Sequence, residues 1–455
     1  MRPVLLIALT LCLPAGTVAA KPERPNILFI VSDDQMATAL GCAGNEAIET
    51  PNLDRLAAGG VRFTRCFSPN PICEPSRACI LTGQDSWTNG CTFFGKPIRE
   101  SSPRWPRLLM EAGYATFYTG KWHNRGLPHE HGFSCGADIY VGGKCNHAEL
   151  PVVQYGQPRK TRKLADKFSS KLFADAAIRF LNGRRPGDPP FCVYLAFTAP
   201  HDPWIPPGRY ATMYQAAKMP VPVNFAPRPP FKMHPSFPAL RDQKQLPFPR
   251  TKADVRQALT QYYGMITHMD VQIGRVLDTL DRLGLARDTL VIFVSDQGYS
   301  LGAHGFVGKQ TMYDEGIVTP LILRYPRLPR GKSTNDALVS LVDLFPTICE
   351  SAGVGVPDEV EGQSLLQLYQ GAGDWPREHV FSSFHSPTAH YMSTRCIRTG
   401  RHKLIQHLLT GETELFDLAL DPHELKNLAG RPELAALQQQ LTQKLMAWRQ
   451  GAKEK

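Results

Sequence analysis

Two unbroken apolar stretches, separated by most of the chain, set the first constraint on its fold. Asn26-Ile27-Leu28-Phe29-Ile30-Val31 runs into Ser32-Asp33-Asp34, and Leu290-Val291-Ile292-Phe293-Val294 runs into Ser295-Asp296-Gln297. A strand without polar residues at alternate positions must be covered on both faces, as central strands of parallel α/β sheets are. Phe191 to Phe197 has the same character and leads to Thr198-Ala199-Pro200-His201. In such sheets ligands bind beyond the carboxyl ends of the strands, where Asp33, Asp34, Asp296, Gln297 and His201 fall. Adjacent acids there repel one another unless a cation lies between them. The four oxygen donors include no thiolate or imidazole, which points to calcium, with magnesium second.

The rest of the chain supplies the other parts of an α/β domain. Helical patterns cover Pro51 to Ala58, the segment around Leu108 to Gly113, Leu164 to Leu181 and Val255 to Leu283. His268 and Asp270, inside the last of these, read as structural. Tyr114 to Tyr118 is a strand leading into Gly120-Lys121-Trp122-His123, where the glycine would let the backbone pass close to a ligand. Lys121 and His123, two apart on an extended chain, face the same way. Residues 126–161 read as an irregular surface excursion, and Val339 to Pro346 as the start of a helix. Residues 203–249 are crowded with prolines, which withhold a backbone donor and fix φ, so this stretch is expected to be a rigid wall or lid beside the site. From about residue 376 short strands and turns precede a closing helix over 432–448. The expected organisation is a signal segment over 1–20, a catalytic α/β domain over 21–375, and a C-terminal subdomain over 376–455 with a short antiparallel sheet.

The chain of 455 residues, 42% hydrophobic and 20% charged, can bury a large core. Its 51 Lys and Arg outnumber 41 Asp and Glu without a long run of like charge. The densest cluster is Arg159, Lys160, Arg162 and Lys163. A diffuse basic field suits polyanions, but no zinc-finger spacing or aromatic-basic RNA signature accompanies it, so no nucleic-acid partner is expected. Met1-Arg2, the apolar Val4 to Leu13, and Val18-Ala19-Ala20 read as a secretory signal, with Lys21 starting the mature chain. Leu11 before Cys12 is too large for a lipoprotein site, and no later apolar run reaches membrane-spanning length, so no membrane anchor is expected. The protein is expected to be secreted or periplasmic, or lysosomal in a eukaryote. Of its eleven cysteines, Cys135 and Cys145 could close a loop in such a compartment.

Cys73-Glu74-Pro75-Ser76-Arg77 begins a helix that stops at Gly83. A cysteine at a helix N-terminus lies where free backbone N–H groups favour an anion. These five residues resemble the signature of the type I sulfatases, whose cysteine is oxidised by a separate formylglycine-generating enzyme to Cα-formylglycine. The likeness extends from about Asn26 to Trp448, and implies an alkaline-phosphatase-like fold with a large, mostly parallel sheet flanked by helices. It implies that one hydroxyl of a hydrated aldehyde at position 73 attacks sulfur and that the other later expels sulfate. Arg77 would hold that group, with Asp33, Asp34, Asp296, Gln297 and residue 73 around the metal. By the same match Lys121, His201 and Lys309 resemble the sulfate-binding and leaving-group residues. His123 resembles the base of the elimination step. The Leu301-Gly302-Ala303-His304-Gly305 segment is similar to that of the carbohydrate sulfatases related to iduronate sulfatase, implying that His304 contacts a sulfated carbohydrate substrate. Gln297 stands where many members have Asn, and Val318 where many have Arg. A phosphonate or phosphodiester hydrolase on the same fold is the alternative, as is a non-catalytic binder of sulfated glycan if Cys73 stays a thiol.

Overall fold

The long apolar runs lie side by side at the centre of one sheet. The structure, a computed structural model, describes residues 24–231, 234–386 and 393–451. The expected signal segment over 1–20, with Cys12, lies outside the described residues. The strands are β1 (Asn26–Ser32), β2 (Val61–Phe67), β3 (Ala115–Trp122), β4 (Cys135–Val141), β5 (Pro151–Val153), β6 (Lys163–Leu164), β7 (Phe191–Ala196) and β8 (Thr289–Ser295), then the hairpin β9 (Ser300–Leu301) and β10 (Val307–Gly308), then β11 (Val318–Arg324), β12 (Thr334–Asn335) and β13 (Val339–Ser340). The main sheet has the order β12-β2-β11-β8-β1-β7-β3-β4-β5-β6, with β13 also on β2. Its centre, β8-β1-β7-β3-β4, is parallel, whereas β11 runs antiparallel to both β8 and β2.

Register explains why two distant acidic pairs meet. Ser32 lies opposite Ser295, so Asp33-Asp34 and Asp296-Gln297 leave the sheet at the same level. Alternation along the central strands divides the core. Phe29, Val31, Ile292 and Val294 pack on one face with the helices Cys73–Thr82, Trp105–Glu111 and Leu344–Ser351. Leu28, Ile30, Val291 and Phe293 pack on the other with Ser169–Asn182 and Lys252–Arg282. All are buried, at ~1.5–3 kcal/mol for each large apolar side chain.

Several expectations need correction. Residues 126–161 are not only a surface excursion, because β4 and β5 extend the sheet there; the apolar part of β4, Ile139-Tyr140-Val141, was too short to register as a pattern. The strand before the Gly-Lys motif continues through Trp122, so Lys121 lies on β3 itself. Gly120, at φ +106°, does not serve a ligand: a Cβ there would sit 1.8 Å from the Ala196 carbonyl oxygen of β7. Residues 339–343 form a short strand and a 3₁₀ turn before the helix Leu344–Ser351. Cys135 and Cys145 are free thiols. The helix beginning at Cys73 carries Pro75 in its third position and, as expected, ends at Gly83, at φ 66°. As expected, the described residues of 203–249 form no regular element beyond 3₁₀ turns, and Asp270 is structural, accepting from Asn52 and Leu53 N–H at 3.1 and 2.8 Å.

The C-terminal region forms a separate four-stranded antiparallel sheet, β14 (His379–Phe384), β15 (Thr394–Thr399), β16 (His402–His407) and β17 (Thr413–Asp417), covered by the helix Ala435–Gly451. Lys403 of β16 is fully buried and reaches back to Asp314 and Glu424, the latter at 2.6 Å.

Candidate active site

At the carboxyl edge of the parallel strands, Cys73 is 1% exposed at the first turn of its helix. Its Sγ lies 3.3 Å from Asp33 Oδ1, 3.3 Å from Gln297 Nε2, 3.0 Å from Lys309 Nζ and 3.9 Å from Asp34 Oδ1. Thus β1, β8, the Cys73 helix and the chain after β10 converge on one atom. Asp34 has φ 66°, a left-handed conformation uncommon outside glycine and tolerated here at the strand end. Its N–H donates to Asp296 Oδ1 at 3.1 Å, tying the two acidic pairs together.

Three buried cations face three buried carboxylates. Lys121 Nζ contacts Asp33 Oδ2; Lys309 Nζ is 2.7 Å from both oxygens of Asp34; Arg77 Nε donates to Asp296 Oδ2 at 2.9 Å. Burial alone would raise the Asp33 carboxyl, but Lys121, with His201, Arg77 and Lys309, holds it well below its usual range. Burial prevails at the other two: Asp34 is pushed up to about 6 against the pull of Lys309, and Asp296 to about 7, with Asp33 adding to the rise. Burial and Asp33 also push the Cys73 thiol up.

The histidines are placed differently. His201 Nδ1 donates to the Asp202 carbonyl at 2.8 Å, and its Nε2 is 3.6 Å from Asp34 Oδ2. Burial and then Lys309 push it down, so it is neutral. His123 lies outside hydrogen-bond reach of Cys73 and stacks on Phe94, with ring centroids 5.5 Å apart. Its buried Nδ1 has no partner, and burial followed by Lys121 holds it well below the ordinary imidazole value. His304 does not join this cluster. It stacks on Tyr313 at 3.8 Å, meets Asn224 Nδ2 at 2.9 Å, and lines a cavity of about 400 Å³ against the C-terminal sheet.

Arg77 is turned onto Asp296 and the Lys121 carbonyl, at 3.3 Å for the latter, and its Nη2 has no hydrogen-bond partner. Sequence reasoning missed three supports. Ser76 Oγ donates to the Asp296 carbonyl. His147 meets the His201 carbonyl at 2.8 Å. Arg241, in the proline-rich insert, holds the Asp202 carboxylate. Ser76 carried a signal, its place in the Cys73-to-Arg77 motif, and so did Asp202, beside His201; His147 and Arg241 carried none.

The donors fit a hard divalent cation. Asp33, Asp34 and Asp296 supply carboxylates, and Gln297 Oε1 is buried without a hydrogen-bond partner. Rotating that amide about its last bond would present Oε1 where Nε2 now points.

A family model described as Sulfatase matches residues 25–354, a span containing every residue of this cluster. The chain belongs to the sulfatase family. It is a sulfuric ester hydrolase of the alkaline-phosphatase-like superfamily. A second model, described as N-sulphoglucosamine sulphohydrolase, C-terminal, matches residues 302–451 of this sulfatase. An N-acetylglucosamine-6-O-sulfatase of Bacteroides thetaiotaomicron is 30% identical to it, covering 97% of this chain and 89% of that one. A solved complex of a protein with its substrate D-glucosamine-2-N,6-O-disulfate superposes with a TM-score of 0.83 at 29% identity, over 95% of this sulfatase and 99% of that chain. A phosphonate monoester hydrolase from Silicibacter pomeroyi gives a TM-score of 0.75 at 26% identity, over 94% and 96% of the two chains.

Proposed function

We propose that this sulfatase is exported and hydrolyses O-sulfate esters of a carbohydrate, with 6-O-sulfated glucosamine the first candidate. The observation that carries the reading is Cys73 Sγ seated among Asp33, Lys309 and Gln297, in a family that uses formylglycine and a divalent metal. The sugar follows from the relatives named for sulfated glucosamine. Export rests on the N-terminal signal pattern.

In this reading Cys73 is converted to formylglycine by a separate maturing enzyme, and Asp33, Asp34, Asp296 and Gln297 hold Ca2+, with Mg2+ second. The hydrated formylglycine would supply the nucleophilic hydroxyl, and the cation would supply charge stabilisation for sulfate oxygens. The protein's own groups do the rest. Three carboxylates balanced by Arg77, Lys121 and Lys309 keep the cluster close to neutral. Lys121 and Lys309 lie on either side of the acidic pair and bind the sulfate oxygens, placing charge where it develops in the transition state. Arg77 fixes Asp296 and keeps one free donor for the nucleophile. His123, neutral and with an unpaired nitrogen, serves as the base that takes a proton when sulfate departs. His201 has its Nδ1–H committed to Asp202, so Nε2 is its working atom. A sulfate anion beside it favours the imidazolium that protonates the leaving oxygen.

Two measurements test the reading. Peptide mass spectrometry across residue 73, on protein from its native host, should find the aldehyde in place of the thiol. Hydrolysis of glucosamine 6-sulfate should then be lost in Cys73→Ala, with the fold retained. A thiol at residue 73, or a large preference for a phosphonate or phosphate diester over the sulfate ester, would overturn it.

A further inference from the structure

The basic cluster of residues 159–163 has no part in the chemistry above, yet Arg159 reaches back from it to the backbone beside His123. The cluster lies on an exposed 3₁₀ turn and the start of β6. Arg159 turns back, and its Nη2 donates to the carbonyls of Asn124, at 3.3 Å, and Gly126, at 3.0 Å, just after His123. Arg125, exposed, donates from Nε to the Gly95 carbonyl at 2.9 Å. Among the described residues both guanidiniums are bonded to backbone carbonyls and to no carboxylate. Both lie close enough to Glu74, the neighbour of Cys73, to act on its carboxyl. Asn124 Nδ2 donates to the Glu74 carbonyl at 3.0 Å, joining this rim to the Cys73 helix.

The other wall has the same character. Gly143 lies against His123, where a Cβ would come 2.7 Å from Cε1. Its neighbour Lys144 is exposed and its carbonyl accepts from the Tyr140 hydroxyl, while Arg162 adjoins Lys163, which the register joins through Val152 to Tyr140. Phe94, 40% exposed, covers His123 with its ring. Of the nearby acids, Glu130 accepts from Leu127 N–H at 2.8 Å and Glu74 from Gly95 N–H at 2.7 Å. Guanidiniums hydrogen-bonded to no carboxylate bind planar or tetrahedral oxyanions through their remaining N–H groups, and an exposed aromatic ring offers a face for a sugar ring.

We infer that Arg125, Arg159, Arg162 and Lys144, with Phe94, form a subsite for a second anionic sugar next to the one that loses sulfate. The inference rests on the carbohydrate reading above. It makes the preferred substrate an oligosaccharide with a flanking carboxylate or sulfate rather than a lone sulfated sugar.

The test compares kcat/KM for glucosamine 6-sulfate with three tetrasaccharides carrying the same 6-sulfated glucosamine. One has flanking uronic acids, one has flanking sulfated neutral sugars, and one has its carboxyls reduced and no flanking sulfate. The charged tetrasaccharides should exceed the reduced one by roughly tenfold. That advantage should collapse in Arg125→Gln and in Arg162→Gln, the second variant lying away from the catalytic segment. It should also collapse at about 1 M salt, where screening reaches ~3 Å. The two charged arms distinguish carboxylate from sulfate. Equal turnover of charged and reduced tetrasaccharides, or variants that slow every substrate alike, would overturn the inference while leaving the carbohydrate reading intact. Turnover of an aryl sulfate but of no saccharide would overturn both.

Discussion

Arg241 Nη2 donates to both carboxylate oxygens of Asp202, at 2.8 and 2.6 Å, and Gln245 Nε2 joins them at 2.8 Å. Asp202 is 1% exposed, and its Oδ1 is 3.3 Å from His201 Nδ1. The proline-rich insert therefore reaches His201, the leaving-group acid of the proposed reading, through one buried carboxylate. Asp202→Asn should lower kcat for a sugar sulfate by roughly tenfold or more. It should have much less effect on nitrophenyl sulfate, whose leaving group needs little protonation. A uniform loss across leaving groups would show that Asp202 supports only the fold.

Metal dependence should centre on Gln297. Extensive dialysis against a chelator should abolish activity, and calcium should restore it. Gln297→Met keeps the length of the side chain but removes the amide oxygen, and should lower metal content by about 10-fold or more in elemental analysis. Unchanged metal content would remove Gln297 from the ligand set.

The buried group joining the C-terminal sheet to the catalytic region makes a stability prediction. Lys403→Met would leave Asp314 and the 1% exposed Glu424 side chain without their shared cation. The expected cost is about 1–3 kcal/mol in denaturant unfolding, because burial already lifts Glu424 to about 8 and the buried carboxyl, left protonated, loses its partner. Replacing Lys403 and Glu424 together by apolar residues should recover part of it.

Acid sensitivity follows from histidines held neutral. His147 and His268 are pushed down to about 4, burial being the main cause in each. With folded values below the unfolded 6.5, the unfolded chain binds more protons between these limits, so stability is lost as pH falls from about 6.5 to 4. Asp270, raised by burial to about 6, works the other way over part of that window, where protonation favours the folded state. His147→Gln should flatten the slope of unfolding free energy against pH across 4–6.5. An unchanged slope would remove His147 as a source of that sensitivity.

The strand ends and the cysteine motif were legible because their signals are local. An unbroken apolar run predicts a covered strand, and the polar residues after Val31 and Val294 had to leave the sheet. That the pairs would meet depended on the register of β1 with β8, which no local pattern states. Asp202 could be seen beside His201, but not its grip by Arg241, because that contact crosses an insert with no periodicity. His304 was assigned to substrate by likeness to a family segment; its stacking on Tyr313 depends on how the C-terminal sheet closes against the loop. The partly antiparallel sheet, with β11 between β8 and β2, was equally hidden, since apolar alternation does not encode strand direction.

All ten residues of the Cys73–Thr82 helix are buried. An enzyme that remodels the side chain at position 73 must take the surrounding peptide into its own cleft, and the folded protein offers no such access. In the reading proposed above, conversion of Cys73 is thus confined to the interval between synthesis and folding, and a molecule that folds before it is processed stays inactive until it unfolds again.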